Sequence, residues 1–500
     1  MNPQRPSASS SLLNRITGAF DRTPEWLASS LALFLLVVLV FANVLVRPSR
    51  VVEGDDLLNF YFWEQFTREQ YASGQLPLWT PYILSGYPAA SNLQVMAFYP
   101  PAILLRLLPL NYSFGVGYTF HFWWMALGMY WWMRWNGYRR GGAYVSAIVF
   151  VLSGFVLPRV DTGHADVIYS ITWMPWAMGL WQKTLRESSP TFMIMAAGAM
   201  GMHFLGGHPA TFVLTLIWLL LSTIYWWATE GRGKTLTELS KRGVLAIGAA
   251  AIGSAGVAVQ LLPTLELASL STHAVALLNE CGLPLSLTWQ DLTSILFAAI
   301  PFDTYLPWER NGYFGALALT LAAVAVFHRG DNDAGRFRWL MVGVVVVGLI
   351  LGFNPRLPFL PDQRLPPPVS SFRMPSRFML YVCVAGAALA GLGFDALARR
   401  AESGKGPGRW PLIAALALAG LAAPVDAYYL SHIKFASSQS DWLITLKIFL
   451  LNGALMSAPR YLLAALALWL WGKPAPPVGR CHWHSPSCSP ICGCSGEYIF

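Results

Sequence analysis

Asp55 and Asp56 stand side by side behind Gly54, a few residues beyond the first apolar run, Leu31 to Val46. Adjacent carboxylates past a membrane helix, followed by the aromatic stretch Asn59-Phe60-Tyr61-Phe62-Trp63, can set a general base beside a lipid-borne substrate. The plainer account is two solvated acids ahead of an interfacial anchor. Asp161, His164 and Asp166 gather at a second turn and His208 stands at a third. Such groups bind sugar hydroxyls, move protons or hold a divalent cation. Asp161 with His164 supplies two metal ligands, short of a site, so polar helix ends are the plainer reading and a divalent cation stays open. Arg373 and Arg377 flank Pro375 just before the apolar run Phe378 to Leu397. Their planar forks suit phosphate oxygens, or their long side chains simply reach lipid headgroups. Arg356 and Arg364 share that segment with lower priority. Glu266 follows Pro263, where an ionisable group near the membrane marks either a site or a solvated loop. Trp79 can stack on a sugar ring, although most of the 22 tryptophans are accounted for by interfacial belts.

Membrane helices must position these groups. With 55% hydrophobic and 12% charged residues and a mean hydropathy of +0.47, the chain lies outside the soluble class. Runs such as Leu31 to Val46, Val244 to Leu262 and Phe378 to Leu397 approach the roughly 20 residues that cross a bilayer as a helix. The expected fold is all-α: a polytopic bundle of about 12 or 13 membrane helices, with short interfacial helices in the Pro- and Gly-rich stretch Leu76 to Pro101. The net charge of +9 does not point to nucleic acid, because the basic residues fall in short clusters between apolar spans, as orientation signals do.

Residues 1–25 carry Arg5, Arg15 and Arg22 and lead into an apolar run without a small-residue cleavage site, so they read as a cytoplasmic segment before an uncleaved signal-anchor. Counting helices from there places Arg134, Arg139 and Arg140, Lys183 and Arg186, Arg232 to Arg242, Arg329 to Arg338, and Arg399 to Arg409 in internal loops. That satisfies the positive-inside rule. The first external segment, about 48–100, is long and acidic, and the external loops hold the Trp, Tyr, His, Gly and Pro, so chemistry is expected outside.

The segment from Gly54-Asp55-Asp56 through Gly74-Gln75-Leu76-Pro77-Leu78-Trp79-Thr80-Pro81-Tyr82 to Phe98-Tyr99-Pro100 resembles the YfhO-type family of bacterial membrane proteins, placed among the GT-C glycosyltransferases. Ser153-Gly154-Phe155 with Gly163-His164, Gly207-His208-Pro209, and Gln260-Leu261-Leu262-Pro263-Thr264 with Glu266 extend the likeness. Asn311-Gly312-Tyr313-Phe314-Gly315 and Phe372-Arg373-Met374-Pro375-Ser376-Arg377-Phe378 carry it to about residue 400. The resemblance implies a GT-C-like domain over 26–472 in the bacterial plasma membrane. It implies sugar transfer from a polyprenyl-phosphate donor to an envelope glycan, lipid or protein on the outer face, with no nucleotide. It also places the family's acidic residue at Asp55 or Asp56, Asp55 slightly favoured, as base for the acceptor hydroxyl in an inverting displacement.

A transporter or flippase of lipid-linked glycans is the alternative from another class, and a noncatalytic accessory subunit is a third. Polar residues at the outer ends of the spans, without an inverted repeat, favour the transferase. Six cysteines set no disulfide framework, since Cys281 and Cys383 stand alone and four crowd the last 20 residues. From 473 to 500 the composition changes abruptly, as an altered reading frame or truncated end would produce, and the spacings match no zinc pattern.

Overall fold

The computed structural model describes residues 23–48, 54–270, 286–296, 307–327, 332–353 and 374–403, with short helical pieces at 413–421 and 463–467 and the residues 411, 460 and 461 beside them. Arg356, Arg364, Arg373 and the 473–500 tail lie outside the described residues. What is described is mostly helical, and its only bridge is an isolated antiparallel pair, Thr80 with Tyr87.

The longer helices are α1 (Glu25–Val40), α2 (Tyr61–Ala72), α3 (Leu110–Trp135), α4 (Arg140–Val151), α5 (Ala165–Ile171), α6 (Met174–Glu187) and α7 (Pro190–Leu205). They continue as α8 (Pro209–Thr229), α9 (Leu236–Gly256), α10 (Ala258–Leu270), α11 (Ala316–Phe327), α12 (Asn332–Phe353) and α13 (Met379–Glu402). Proline opens α7 and α8 at the first position, where the missing N–H costs nothing. A reciprocal Thr235–Glu238 capping box opens α9.

Among the described residues, three helical segments are long and apolar enough to cross a membrane: Pro209–Thr229, Arg336–Phe353 and Pro375–Glu402. Of the three runs singled out in the sequence, Phe378 to Leu397 lies inside one helix. Leu31 to Val46 is interrupted at Phe41, and Val244 to Leu262 breaks after Gly256, where α9 and α10 meet at 78°. The pair counts as a fourth span if the bend lies within the membrane. Pro263 lies inside α10, so Glu266 is on an exposed helix face and not in a loop.

Burial ranks the spans. The apolar window of Pro375–Glu402 is 89% buried, against 39% for Pro209–Thr229 and 33% for Arg336–Phe353, so α13 is the central helix and the other two face outward. Its small residues explain why it can sit there. A Cβ at Gly391 would lie 2.3 Å from the Gly142 carbonyl of α4, and one at Gly393 would lie 1.9 Å from the Leu321 carbonyl of α11. Backbones approach this closely only where side chains are absent. Asp395 then caps α4, accepting from the N–H groups of Arg139 (2.7 Å) and Gly142 (3.0 Å). Edge-to-face pairs Trp132–Trp218 and Trp218–Tyr381 join α3, α8 and α13.

The two ends of this bundle differ in chemistry. Where α1, α4 and α9 begin and α3, α6 and α13 finish, the charges are mostly arginines in ion pairs: Arg134 with Glu25, Arg139 with Glu402 at 2.6 Å, and Arg186 with Glu230 at 2.9 Å. Where α3, α5, α8 and α13 begin, buried carboxylates, histidines and two arginines converge.

Candidate functional site

Gly54 places the first carboxylate. Its φ is +56°, and a Cβ there would lie 2.4 Å from the Thr162 carbonyl oxygen, so glycine is demanded by both conformation and space. The next amide, Asp55 N–H, donates to that same Thr162 carbonyl at 3.0 Å, docking the start of the helix on the turn that carries His164. Gly54→Ala is therefore expected to destabilise the protein by more than about 1 kcal/mol through backbone strain alone, before any clash, as thermal melting of the purified protein will read.

A π-helical turn, Asp56–Phe60, follows and separates the two acids. Asp56 points inward and is fully buried; its Oδ2 accepts from the Tyr118 hydroxyl at 2.5 Å, and its Oδ1 has no hydrogen-bond partner. Burial raises the Asp56 carboxyl well above the usual range; the Tyr118 hydrogen bond opposes the shift, and the nearby charges of Asp166 and Asp55 add to it. Asp55 points the other way and is 46% exposed, with Oδ2 3.2 Å from His164 Nε2.

The environments of the two acids give a test. A carboxyl whose folded pKa is raised contributes full stability below its unfolded value near 3.8 and loses that contribution as pH rises toward the folded value. Asp56→Asn cannot ionise and keeps an acceptor for Tyr118. Its melting temperature is expected to exceed that of the wild type at neutral pH, by a margin that widens upward from about pH 4.

His164 is read from its neighbours. Arg159 Nη1 lies 3.1 Å from His164 Nδ1, and a guanidinium can only donate, so Nδ1 is the acceptor and the ring proton sits on Nε2, facing Asp55. Burial and the Arg159 charge lower the histidine's pKa, consistent with a neutral ring. Arg159 is wholly buried, and its Nη2 meets Glu309 Oε2 at 2.8 Å. Glu309, equally enclosed, is held from its other side by Arg377, with Nη2–Oε1 at 3.1 Å and Nε–Oε2 at 3.2 Å. Burial alone would raise Glu309, but the two guanidiniums outweigh it and hold the carboxyl well below the usual range. One continuous chain thus runs Asp55–His164–Arg159–Glu309–Arg377. Two guanidiniums share the Glu309 carboxylate, and Arg377, at the end of the chain, is 19% exposed.

Asp166 and His208 flank this chain. Asp166 accepts from Gln94 Nε2 at 3.0 Å and from the Val167 N–H at 2.8 Å. His208 caps α8, its Nδ1 accepting from the Thr211 N–H at 3.2 Å. Asp161 is exposed at the end of the short helix Pro158–Asp161. Trp79 is 58% exposed and lies over Gly86, where a Cβ would meet its ring at 2.5 Å, so its contact is to its own loop. Among the described residues, no group of three or more His, Cys, Asp or Glu side chains forms a metal site.

No protein-family model matches the chain, and no curated protein matches it.

Three members of the cluster were not singled out in the sequence: Tyr118, Arg159 and Glu309. Arg159 shares with Arg377 a place beside a proline at the start of a helical turn, the one feature of the sequence that could have found it. Glu309 follows Trp308 in a stretch with no distinguishing pattern, and only the fold sets it between two arginines. Tyr118 lies amid the aromatic face of α3, where nothing separates it from core.

Proposed function

We propose that the chain is a membrane glycosyltransferase of GT-C type that moves a sugar from a polyprenyl-phosphate donor to an acceptor hydroxyl at the outer membrane face. What carries the reading is the division between two neighbouring carboxylates. One is half-exposed beside the Nε2–H of His164; the other is buried against Tyr118, its pKa raised well above the usual carboxyl range by burial; and Arg377 stands at the far end of the chain that starts at Asp55. In a displacement, Asp55 takes the acceptor proton as the acceptor oxygen bonds to the anomeric carbon. The bond from that carbon to the phosphate oxygen breaks, and polyprenyl phosphate leaves with the electron pair. Arg377 is the described cation placed to receive that charge, through a bidentate fork. His164 is a positioning residue: its Nε2–H fixes one Asp55 oxygen and leaves the carboxylate accessible.

The membrane-side assignment goes with this reading. The arginine-rich end of the bundle faces the cytoplasm by the positive-inside bias, which puts the carboxylate cluster outside, in a polytopic bundle of the plasma membrane. Asp161 and Glu266 are exposed and Trp79 lies over its own loop, positions that suit the acceptor side.

The 78° break between α9 and α10 favours the second reading, a carrier for lipid-linked glycans, since broken helices line transport paths. Product balance in vesicles separates the two. Purified protein is reconstituted with labelled polyprenyl-phosphate sugars and supplied with envelope acceptors. The transferase reading expects free polyprenyl phosphate and labelled acceptor in equal amounts. Donor that crosses the bilayer intact, with no label transferred, establishes the carrier instead.

A further inference from the structure

A cavity of about 350 Å³ opens between α1, α3 and α4 at the arginine-rich end of the bundle, within the roughly 300–1,000 Å³ of small-ligand sites. Glu25, Ala28 and Ala32 line it from α1, Tyr130 from α3, and Arg140 and Tyr144 from α4. Glu25 orders its polar end. Oε1 accepts from the Tyr130 hydroxyl at 2.8 Å and from Arg134 Nε, while Oε2 accepts from Arg134 Nη2 at 3.1 Å and meets Arg140 Nε at 3.3 Å. A carboxylate has about four lone-pair sites, so this one is filled and has nothing to offer a ligand's donor. Arg140 meets Glu25 through Nε on a side chain that is 54% exposed, which leaves its Nη groups to donate at the cavity. The ligand group that fits is an anionic acceptor, and a phosphate matches the guanidinium fork.

Away from that end the lining is apolar. Ala28 and Ala32 leave space that larger side chains would fill, and the Tyr130 and Tyr144 rings, with centroids 4.7 Å apart, form another wall. Glu25, Ala28, Ala32, Leu35 and Leu39 follow one another at alternating intervals of three and four residues, which keeps them on one face of α1. The face that lines the cavity therefore continues into Leu35 and Leu39, which are 65% and 73% exposed. No charged residue stands between Glu25 and Arg47. From Glu25 to Leu35 the helix rises about 15 Å, half the thickness of a hydrocarbon core.

We propose that this cavity holds one anionic membrane phospholipid, its phosphate on Arg140 and an acyl chain along the Ala28–Ala32–Leu35–Leu39 face of α1. A free phosphate shares the headgroup's chemistry but gains nothing from that face. A choline headgroup brings a cation that the filled Glu25 carboxylate does not take, so an anionic headgroup is preferred over a zwitterionic one.

The test is native mass spectrometry of the full chain in detergent, titrated separately with phosphatidylglycerol, phosphatidylcholine and inorganic phosphate. Phosphatidylglycerol is expected to be retained about tenfold better than phosphatidylcholine. Arg140→Gln should remove most of that advantage, whereas Arg232→Gln, an exposed arginine outside the cavity lining, should leave it unchanged. Ala32→Phe fills the groove and should lower retention of phosphatidylglycerol severalfold at an unchanged melting temperature. Equal retention of the two lipids by the wild type, or equal losses in Arg140→Gln and Arg232→Gln, overturns the site. Displacement of phosphatidylglycerol by inorganic phosphate at matched concentration, or full retention in a folded Ala32→Phe, overturns the lipid as its occupant.

Discussion

Glu309→Gln is expected to unfold the protein more readily than any other single substitution in the cluster, by about 3–5 kcal/mol. The carboxylate accepts from Arg159 at 2.8 and 3.4 Å and from Arg377 at 3.1 and 3.2 Å. Without its charge, a wholly buried guanidinium and a mostly buried one face each other with no counter-ion, and that uncompensated charge is what costs the stability. Replacing Arg159 by Met in the same chain should return part of the loss, because the pair is then removed together. The pH dependence has a fixed sign. A carboxyl held below its unfolded value of 4.5 contributes its stability above that value and loses it as pH falls through the folded one. Melting curves of wild type and Glu309→Gln should lie far apart at pH 7 and draw together in strong acid. A variant that melts with the wild type at pH 7 would mean that the triad is not closed in solution.

On the proposed transferase reading, Asp55→Asn is expected to act on chemistry rather than on the fold. The amide matches the carboxylate in shape and can still accept from His164 Nε2–H, whose geometry is set independently by Arg159. Removing a positioned base is expected to lower kcat by roughly 10²–10⁴-fold, with donor affinity and melting temperature close to those of the wild type. The position is half-exposed, so the substitution leaves no buried charge behind. Loss of donor binding instead of turnover would make Asp55 a binding residue.

Much of this arrangement was legible in the chain itself. The adjacent acids, the histidine at the second turn and Arg377 ahead of the central helix all announced themselves as polar residues at the ends of apolar runs, because a polar group there needs a reason. Their partners did not. Glu309 and Arg159 lie 150 positions apart, and no local period links residues that distant. Asp55 and Asp56 could not be ranked by spacing; a single π-helical turn sends one into the core and the other outward, and hydropathy does not predict that turn. Hydropathy did mark where apolar runs lie but not where they break: Phe41 and Gly256 interrupt two of the three. The small-residue rows in α13 read as a span, and only their packing against Gly142 and Leu321 shows why this span is the buried one. Arg373, expected beside Arg377 as a second phosphate ligand, falls outside the described residues.

The central claim is that the exposed carboxylate does the chemistry and the buried one does not. Single-turnover transfer from a labelled polyprenyl-phosphate sugar, run side by side for wild type, Asp55→Asn and Asp56→Asn with donor binding measured in the same samples, tests it most directly. The account predicts equal binding in all three, transfer abolished in Asp55→Asn and largely retained in Asp56→Asn. Transfer that survives in Asp55→Asn, or is lost in Asp56→Asn alone, would contradict it.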